Sequence, residues 1–360
     1  MMYSRKVRAL TPYVPGEQPQ NRQYIKLNTN ENPFPPAPGV DELLHSFDAS
    51  RLRLYPDPDS TRLREAFAKR FGLGKENIFC GNGSDEVLAH LFYAFFDEEY
   101  GPVLFPDVSY SFYPVFCSFH GLSYREVPLG EDFSVDTGLF RKIAAESDYS
   151  GIILANPNAP TGIAVTRSEI ITLLESTRQD RLIAVDEAYV DFGGESVVDL
   201  VNTYPNLLVV GTLSKSYSLA GLRLGYAAGH PDLIEALTRT KDAFNSYPVS
   251  RLGQEIAVAA LEDTGYFEKC RDELIAVREW TAAKLTDAGW RVLPSKANFL
   301  FAAPSFTTAK KLYAILKDRG FLVRFFSKPR TRDFLRISIG SGKDMESFIH
   351  ELSCITNGEL

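Results

Sequence analysis

The stretch 212–226, TLSKSYSLAGLRLGY, constrains this chain more than any other part of it. The run that leads into it, NLLVVGTL from Asn206, is apolar and β-branched and predicts a buried strand. Lys215 follows directly, where the strand ends and small hydroxyl-bearing residues begin, and Arg223 comes eight residues later, beyond the Ala220-Gly221 pair. A lysine held away from water at such an edge is biased toward the neutral amine and so toward Schiff-base chemistry. The hydroxyls of Thr212 and Ser214, with the fixed fork of Arg223, suit a phosphate group nearby. A surface loop carrying an ordinary lysine and arginine would explain these residues equally well, so the reading needs further motifs.

Two more are present. RLIAVDEAYVDF, 181–192, reads as a short buried strand ending in Asp186, at the edge where open α/β sheets take ligands. Alone, Asp186 is as compatible with a helix N-cap. Beside a Schiff-base lysine it is the acid partner that the pyridinium nitrogen of pyridoxal phosphate (PLP) requires. GIILANPNAPTG, 151–162, is a third buried strand running into a Pro/Asn/Gly turn. Upstream, IFCGNGSDEVLAHLFYAFF from Ile78 reads as strand, glycine loop and helix. Gly81 and Gly83 permit the turn, and Ser84, Asp85 and Glu86 take the first helical positions, where free N–H groups can bind phosphate.

The order NPNAPTG, DEAY, SKSYSLAGLRLG resembles the fold-type I PLP-dependent aminotransferases. The flanking LTPY, KLNTNENPFPP, RLYPDP, GNGSDE and VRFF…FLRISIGS narrow the resemblance to the histidinol-phosphate aminotransferase family, from about residue 7 to the end. The resemblance implies an α/β fold with a large PLP-binding domain, a mostly parallel seven-stranded sheet flanked by helices, and a smaller α+β domain. The expected divisions are an arm and start of the small domain at 1–45, the large domain at 46–250 and the small domain at 251–360. It also implies roles. Lys215 holds PLP and moves the proton, Asp186 pairs with the pyridine nitrogen, and Tyr189 with an asparagine binds the ring oxygen. Tyr110 lies on the ring, and Ser84, Asp85, Thr212, Ser214 and Arg223 share the phosphate. Tyr55 reaches the partner's phosphate in a homodimer. Arg336 grips a carboxylate, Arg324 takes the substrate phosphate, and Tyr13 and Asn30 are pocket walls. The sequence departs from the family where Ala159 stands in place of an asparagine before Pro-Thr-Gly, which leaves Asn158, or Asn156, for the ring oxygen; Ser341 replaces a commoner threonine. Aromatic amino acid transamination and threonine-phosphate decarboxylation are the alternatives on the same core.

Composition excludes other classes. A net charge of −7 disfavours nucleic acid or an anionic membrane as the main partner. Four scattered cysteines and five histidines form no metal spacing, so no metal is expected. A dinucleotide-binding reading of GNGSDE fails because Glu86 stands where the third glycine belongs. No membrane-length apolar run or secretory signal is found, and a cytoplasmic location is expected. Locally, 1–36 predicts an extended arm, and 60–71 a helix with Ser60 as N-cap and Gly72 as C-cap. A capping box opens a helix at Thr166, and the long helical run 248–289 is expected to bend or break near Thr264-Gly265.

Overall fold

A computed structural model describes residues 2–19 and 22–358. Its centre is a seven-stranded sheet in the spatial order Ile78–Gly81, Gly225–Gly229, Leu207–Thr212, Leu182–Asp186, Gly151–Ala155, Val103–Pro106 and Tyr124–Val127. Within it Gly225–Gly229 alone runs antiparallel to its neighbours; the remaining pairings are parallel. The central strands are buried along their whole length. That explains why they read as continuous apolar runs and not as alternating ones, since both faces carry packed side chains. One core lies on each face. One holds Ile152, Leu154, Ile183, Val185, Leu207 and Val209. The other holds Ile153, Ala184, Leu208 and Val210 with Leu88, Leu91 and Phe92 of the helix Gly83–Phe95.

A second sheet of four antiparallel strands, Arg324–Phe325, Leu335–Ser338, Phe299–Ala303 and Arg291–Val292, stands apart from the first. Its core, with Leu274, Leu300, Leu312, Ile337 and Phe348, draws on the helices Thr264–Asp287, Ala309–Asp318 and Gly342–Asn357. The N-terminal segment joins this part by pairing Ile25–Lys26 in parallel with Phe321–Leu322. The helices Pro38–Ser46 and Arg251–Glu262, by contrast, place Val40, Ile256 and Ala257 in the core of the large sheet.

The expected break in the long helical run falls at Asp263. This residue ends Arg251–Glu262 and caps Thr264–Asp287 by accepting from Tyr266 N at 3.1 Å. The capping box at Thr166 and Glu169 forms as the sequence predicts. Two local expectations are corrected. The arm is not wholly extended, because Arg5–Ala9 forms a short helix whose Val7 N donates to Ser4 Oγ. Ser60 makes no side-chain cap. It adopts φ 49°, and Asp57 Oδ2 accepts from Thr61 N at 2.8 Å instead. The carboxylate of Asp57 reaches across the Pro-Asp turn and takes the first N–H of the helix, while the N2 and N3 groups that a serine N-cap serves receive no side-chain cap.

Candidate active site

The carboxyl ends of the parallel strands converge on one cavity of about 170 Å³, closed on its far side by the smaller sheet. Of the fifteen residues singled out from sequence, thirteen line it: Tyr13, Asn30, Ser84, Asp85, Tyr110, Asp186, Tyr189, Thr212, Ser214, Lys215, Arg223, Arg324 and Arg336. They arrive from six segments far apart in the chain. This is the ligand edge that an open α/β sheet provides.

One end of the cavity is built for an anion. Gly83, at φ +80°, turns the chain into the helix Gly83–Phe95, so that the N–H groups of the first turn are free of helical partners. Gly225 passes directly beneath. A Cβ there would lie 2.3 Å from Ser84 N, so only glycine lets the strand approach the helix start this closely. Thr212 Oγ1 lies 3.0 Å from Ser214 Oγ and accepts from Ser214 N at 3.1 Å, which places both hydroxyls together at the strand end. Arg223, held at φ 56°, donates from Nη2 to Asp85 Oδ2 at 3.0 Å. Tyr110 donates to the other oxygen of Asp85 at 2.9 Å, so one carboxylate orients both an arginine and an aromatic wall.

At the other end Asp186 is 5% exposed. Burial pushes its carboxyl up to about 6, against hydrogen bonds from Tyr113 and Ala188 N that favour the charged form. Lys215 Nζ donates to Thr29 O at 3.3 Å and lies 5.8 Å from the ring centroid of Tyr189. Tyr189 accepts from Asn30 Nδ2 at 3.0 Å and stands edge-on to Phe299. Asn30 is fixed on every side: its N donates to Ser338 Oγ, Ser338 donates back to its Oδ1, and its carbonyl accepts from Asn298 Nδ2.

Arginines from the smaller sheet complete the cavity. Arg336 donates from Nη2 to Asn28 O at 2.9 Å, while its Nε is buried without a hydrogen-bond partner. Burial lowers the pKa of this guanidinium. Arg324 donates to Val14 O at 3.0 Å and Pro15 O at 3.2 Å, and so holds the arm. The arm is also tied through Glu17, which pairs with Lys317 and Tyr313, and through Glu17 O, which accepts from Asn28 Nδ2. Tyr13 packs against Phe112 with ring centroids 4.8 Å apart.

Two candidates lie elsewhere. Asn158 does not line the cavity. Its Nδ2 donates to Val108 O and Thr161 Oγ1, and its Oδ1 accepts from Ser109 Oγ, so its amide braces the loop. Asn156 is likewise occupied, by Val165 N and Val165 O. Ala159 itself faces the cavity. Tyr55 is 78% exposed and stacks on Tyr247 with centroids 4.7 Å apart. Sequence reasoning passed over Asn32, whose Nδ2 donates to Lys215 O at 2.9 Å, and Tyr113, which donates to Asp186. The spacing of Tyr113, three residues after Tyr110 at a helix start, was the available signal.

A lysine at a strand end, an anion cradle at a helix start, a buried acid and an aromatic wall meet in one cavity, and this donor set fits pyridoxal phosphate. Residues 22–352 match the family model for aminotransferases of class I and II, and the chain belongs to that family. It is 51% identical over 351 residues to a histidinol-phosphate aminotransferase from Syntrophus aciditrophicus, covering 98% of this chain and 97% of that one. It is 52% identical over 353 residues to the one from Chromohalobacter salexigens, covering 98% of each. Within the class I and II enzymes the chain is thus a member of the histidinol-phosphate aminotransferase family. Its fold is that of the Sinorhizobium meliloti histidinol-phosphate aminotransferase solved in complex with pyridoxal-5'-phosphate, with TM-score 0.89 at 24% identity over 100% of this chain and 98% of that one.

Proposed function

We propose that this chain is a PLP-dependent transaminase that passes an amino group between histidinol phosphate and 2-oxoglutarate. The observation that carries the reading is the meeting, in one cavity, of Lys215, Asp186 and the anion cradle with Arg324 and Arg336. Bound there, PLP supplies a carbonyl for the amine and a ring that accepts an electron pair. Lys215 Nζ would carry the proton between the substrate Cα and the cofactor's carbonyl carbon, which lie on either side of the amine nitrogen. Asp186 holds the proton on the ring nitrogen. Ser84 N, Asp85 N, Thr212, Ser214 and Arg223 hold the phosphate, and Tyr110 covers one face of the ring. Tyr189, braced by Asn30, would reach the ring oxygen; Asn158 has both amide hydrogens committed to Val108 O and Thr161 Oγ1, and Asn156 has one committed to Val165 O.

The substrates differ in charge. Histidinol phosphate brings a phosphate dianion and no carboxylate, whereas glutamate brings two carboxylates, so the same arginines must read both. Arg336, with a buried unpartnered Nε, is placed for a carboxylate. A charge-assisted hydrogen bond is worth about 1.5–3 kcal/mol. Arg324→Ala is therefore expected to lower kcat/KM for histidinol phosphate about ten- to a hundredfold and to affect phenylalanine much less. Arg336→Ala is expected to harm the glutamate half-reaction at least as much as the phosphate one. The assay incubates protein with PLP, 2-oxoglutarate and either amine, and follows glutamate. Preference of the wild type for phenylalanine would move the assignment to the aromatic enzymes. Equal loss on both amines in Arg324→Ala would make that arginine a support of the arm alone.

The reading includes a homodimer in which Tyr55 serves the neighbouring site. Leu52, Leu54, Tyr55, Phe244 and Tyr247 are all exposed in the single chain, which is costly for large apolar side chains. Sedimentation equilibrium of the holoenzyme is expected to give twice the chain mass of 40.2 kDa; an active monomer would remove Tyr55 from the site. Among the described residues no helix is long and apolar enough to cross a membrane.

A further inference from the structure

Tyr113 opens the helix Tyr113–His120, directly before Pro114, and is fully buried. Its hydroxyl donates to Asp186 Oδ2 at 3.0 Å, while Asp186 Oδ1 accepts from Ala188 N at 3.2 Å. Its ring stands at 89° to that of Tyr110, with centroids 5.5 Å apart, and packs on Phe105 and Phe92. One side chain thus touches both the acid placed for the ring nitrogen and the aromatic placed for the ring face. We propose that Tyr113 is a positioning residue for the cofactor ring: its hydroxyl fixes the Asp186 carboxylate and keeps it ionised, and its ring sets the tilt of Tyr110. This rests on the reading of the cavity as a PLP site.

The physical need is plain. A buried carboxylate with few donors takes up a proton, and a protonated Asp186 gives the ring nitrogen no anionic partner. The other ionisable groups around it do not replace the donor. Lys215 favours the charged form and Asp85 opposes it, both through space. Tyr110 donates to Asp85, Tyr189 is held by Asn30, and Glu187 turns to Ser196 and Val197 N. Among the described residues Tyr113 is the one side chain that hydrogen-bonds Asp186. Its phenol is itself pushed far above the usual range by burial and by the Asp186 carboxylate, so it stays a donor throughout.

The test measures PLP affinity against pH, by the absorbance of the bound cofactor, for wild type and Tyr113→Phe. Losing a hydrogen bond to a charged group is expected to move the acid limb of the profile up by about one pH unit, a tenfold weaker affinity on that limb, with convergence at higher pH. A limb that stays in place, or an equal loss at every pH, overturns the proposal and makes Tyr113 a packing residue. Should Tyr113→Phe not fold, 3-fluorotyrosine placed at 113 keeps the shape and strengthens the donor. The limb is then expected to move down, and an unmoved limb overturns the proposal equally. A wild type that binds no PLP at any pH overturns the reading of the cavity itself, a result distinguishable from an unmoved limb.

Discussion

Lys215→Ala is expected to lower transamination by roughly 10⁴-fold or more, because on the proposed function it removes both the covalent anchor and the general base in one change. Among the described residues Lys215 is the only lysine lining the cavity, so no lysine neighbour can take over. The same substitution is expected to leave the fold nearly intact. The amine makes a single hydrogen bond, at 3.3 Å to Thr29 O, and loss of one such bond costs about 1 kcal/mol. The check is paired. Borohydride should fix a pyridoxyl group on Lys215 in the wild type, located by peptide mapping, and on no residue of the variant. Fixation at another lysine, or substantial turnover without Lys215, would sink the assignment.

Asp186→Ala is the second large effect. PLP should remain bound through the phosphate cradle, which lies at the far end of the cavity, while proton transfer slows by about 10²–10³-fold as the ring loses its anionic partner. Single-turnover absorbance separates the two: near-normal chemistry in the variant would place the acid partner elsewhere. The stability effect has a defined sign. The folded protein raises the Asp186 carboxyl from 3.8 to about 6, so stability contributed by this group is present below the lower value and lost as pH rises through the upper one. A protonated ring nitrogen beside it offsets that loss. PLP should therefore stabilise the wild type against heat more at neutral pH than at pH values below the limb, and Asp186→Ala should lose that extra increment.

How far the sequence led depends on what each motif had to specify. Lys215 and Ser84 follow, and Asp186 ends, strands too apolar to be anything but buried, so their place at the cavity edge of the sheet was legible. Arg223 was legible through its place eight residues after Lys215, whereas its left-handed φ of 56° was not. Asn158 was not, because chemistry alone cannot tell a donor to a ligand from a donor to Val108 O and Thr161 Oγ1, and that choice is made by contacts about 50 residues away. Tyr113 was missed for the same reason: its partner comes from a strand 73 residues on. Ser60 failed locally, where a proline-containing turn brings Asp57 onto the first N–H of the helix and Ser60 itself sits at φ 49° with no side-chain cap. The Arg5–Ala9 helix lies in a segment whose prolines and polar residues suggested extension, yet five residues before the first of them sufficed for one turn.

The segment that carries Tyr55 is gripped by its own subunit. Arg251 Nη2 donates to Tyr55 O at 2.7 Å, Gln254 Nε2 to Asp57 O at 3.0 Å and Lys241 Nζ to Pro58 O at 3.1 Å. In the proposed dimer this makes inheritance between subunits unequal. A substitution that loosens Arg251 or Gln254 leaves its own chain's cavity furnished and impairs the neighbour's. Mixed populations of normal and altered chains would then contain hybrids in which the sound chain is the one that works poorly, and a defect of one gene copy would be felt by the product of the other.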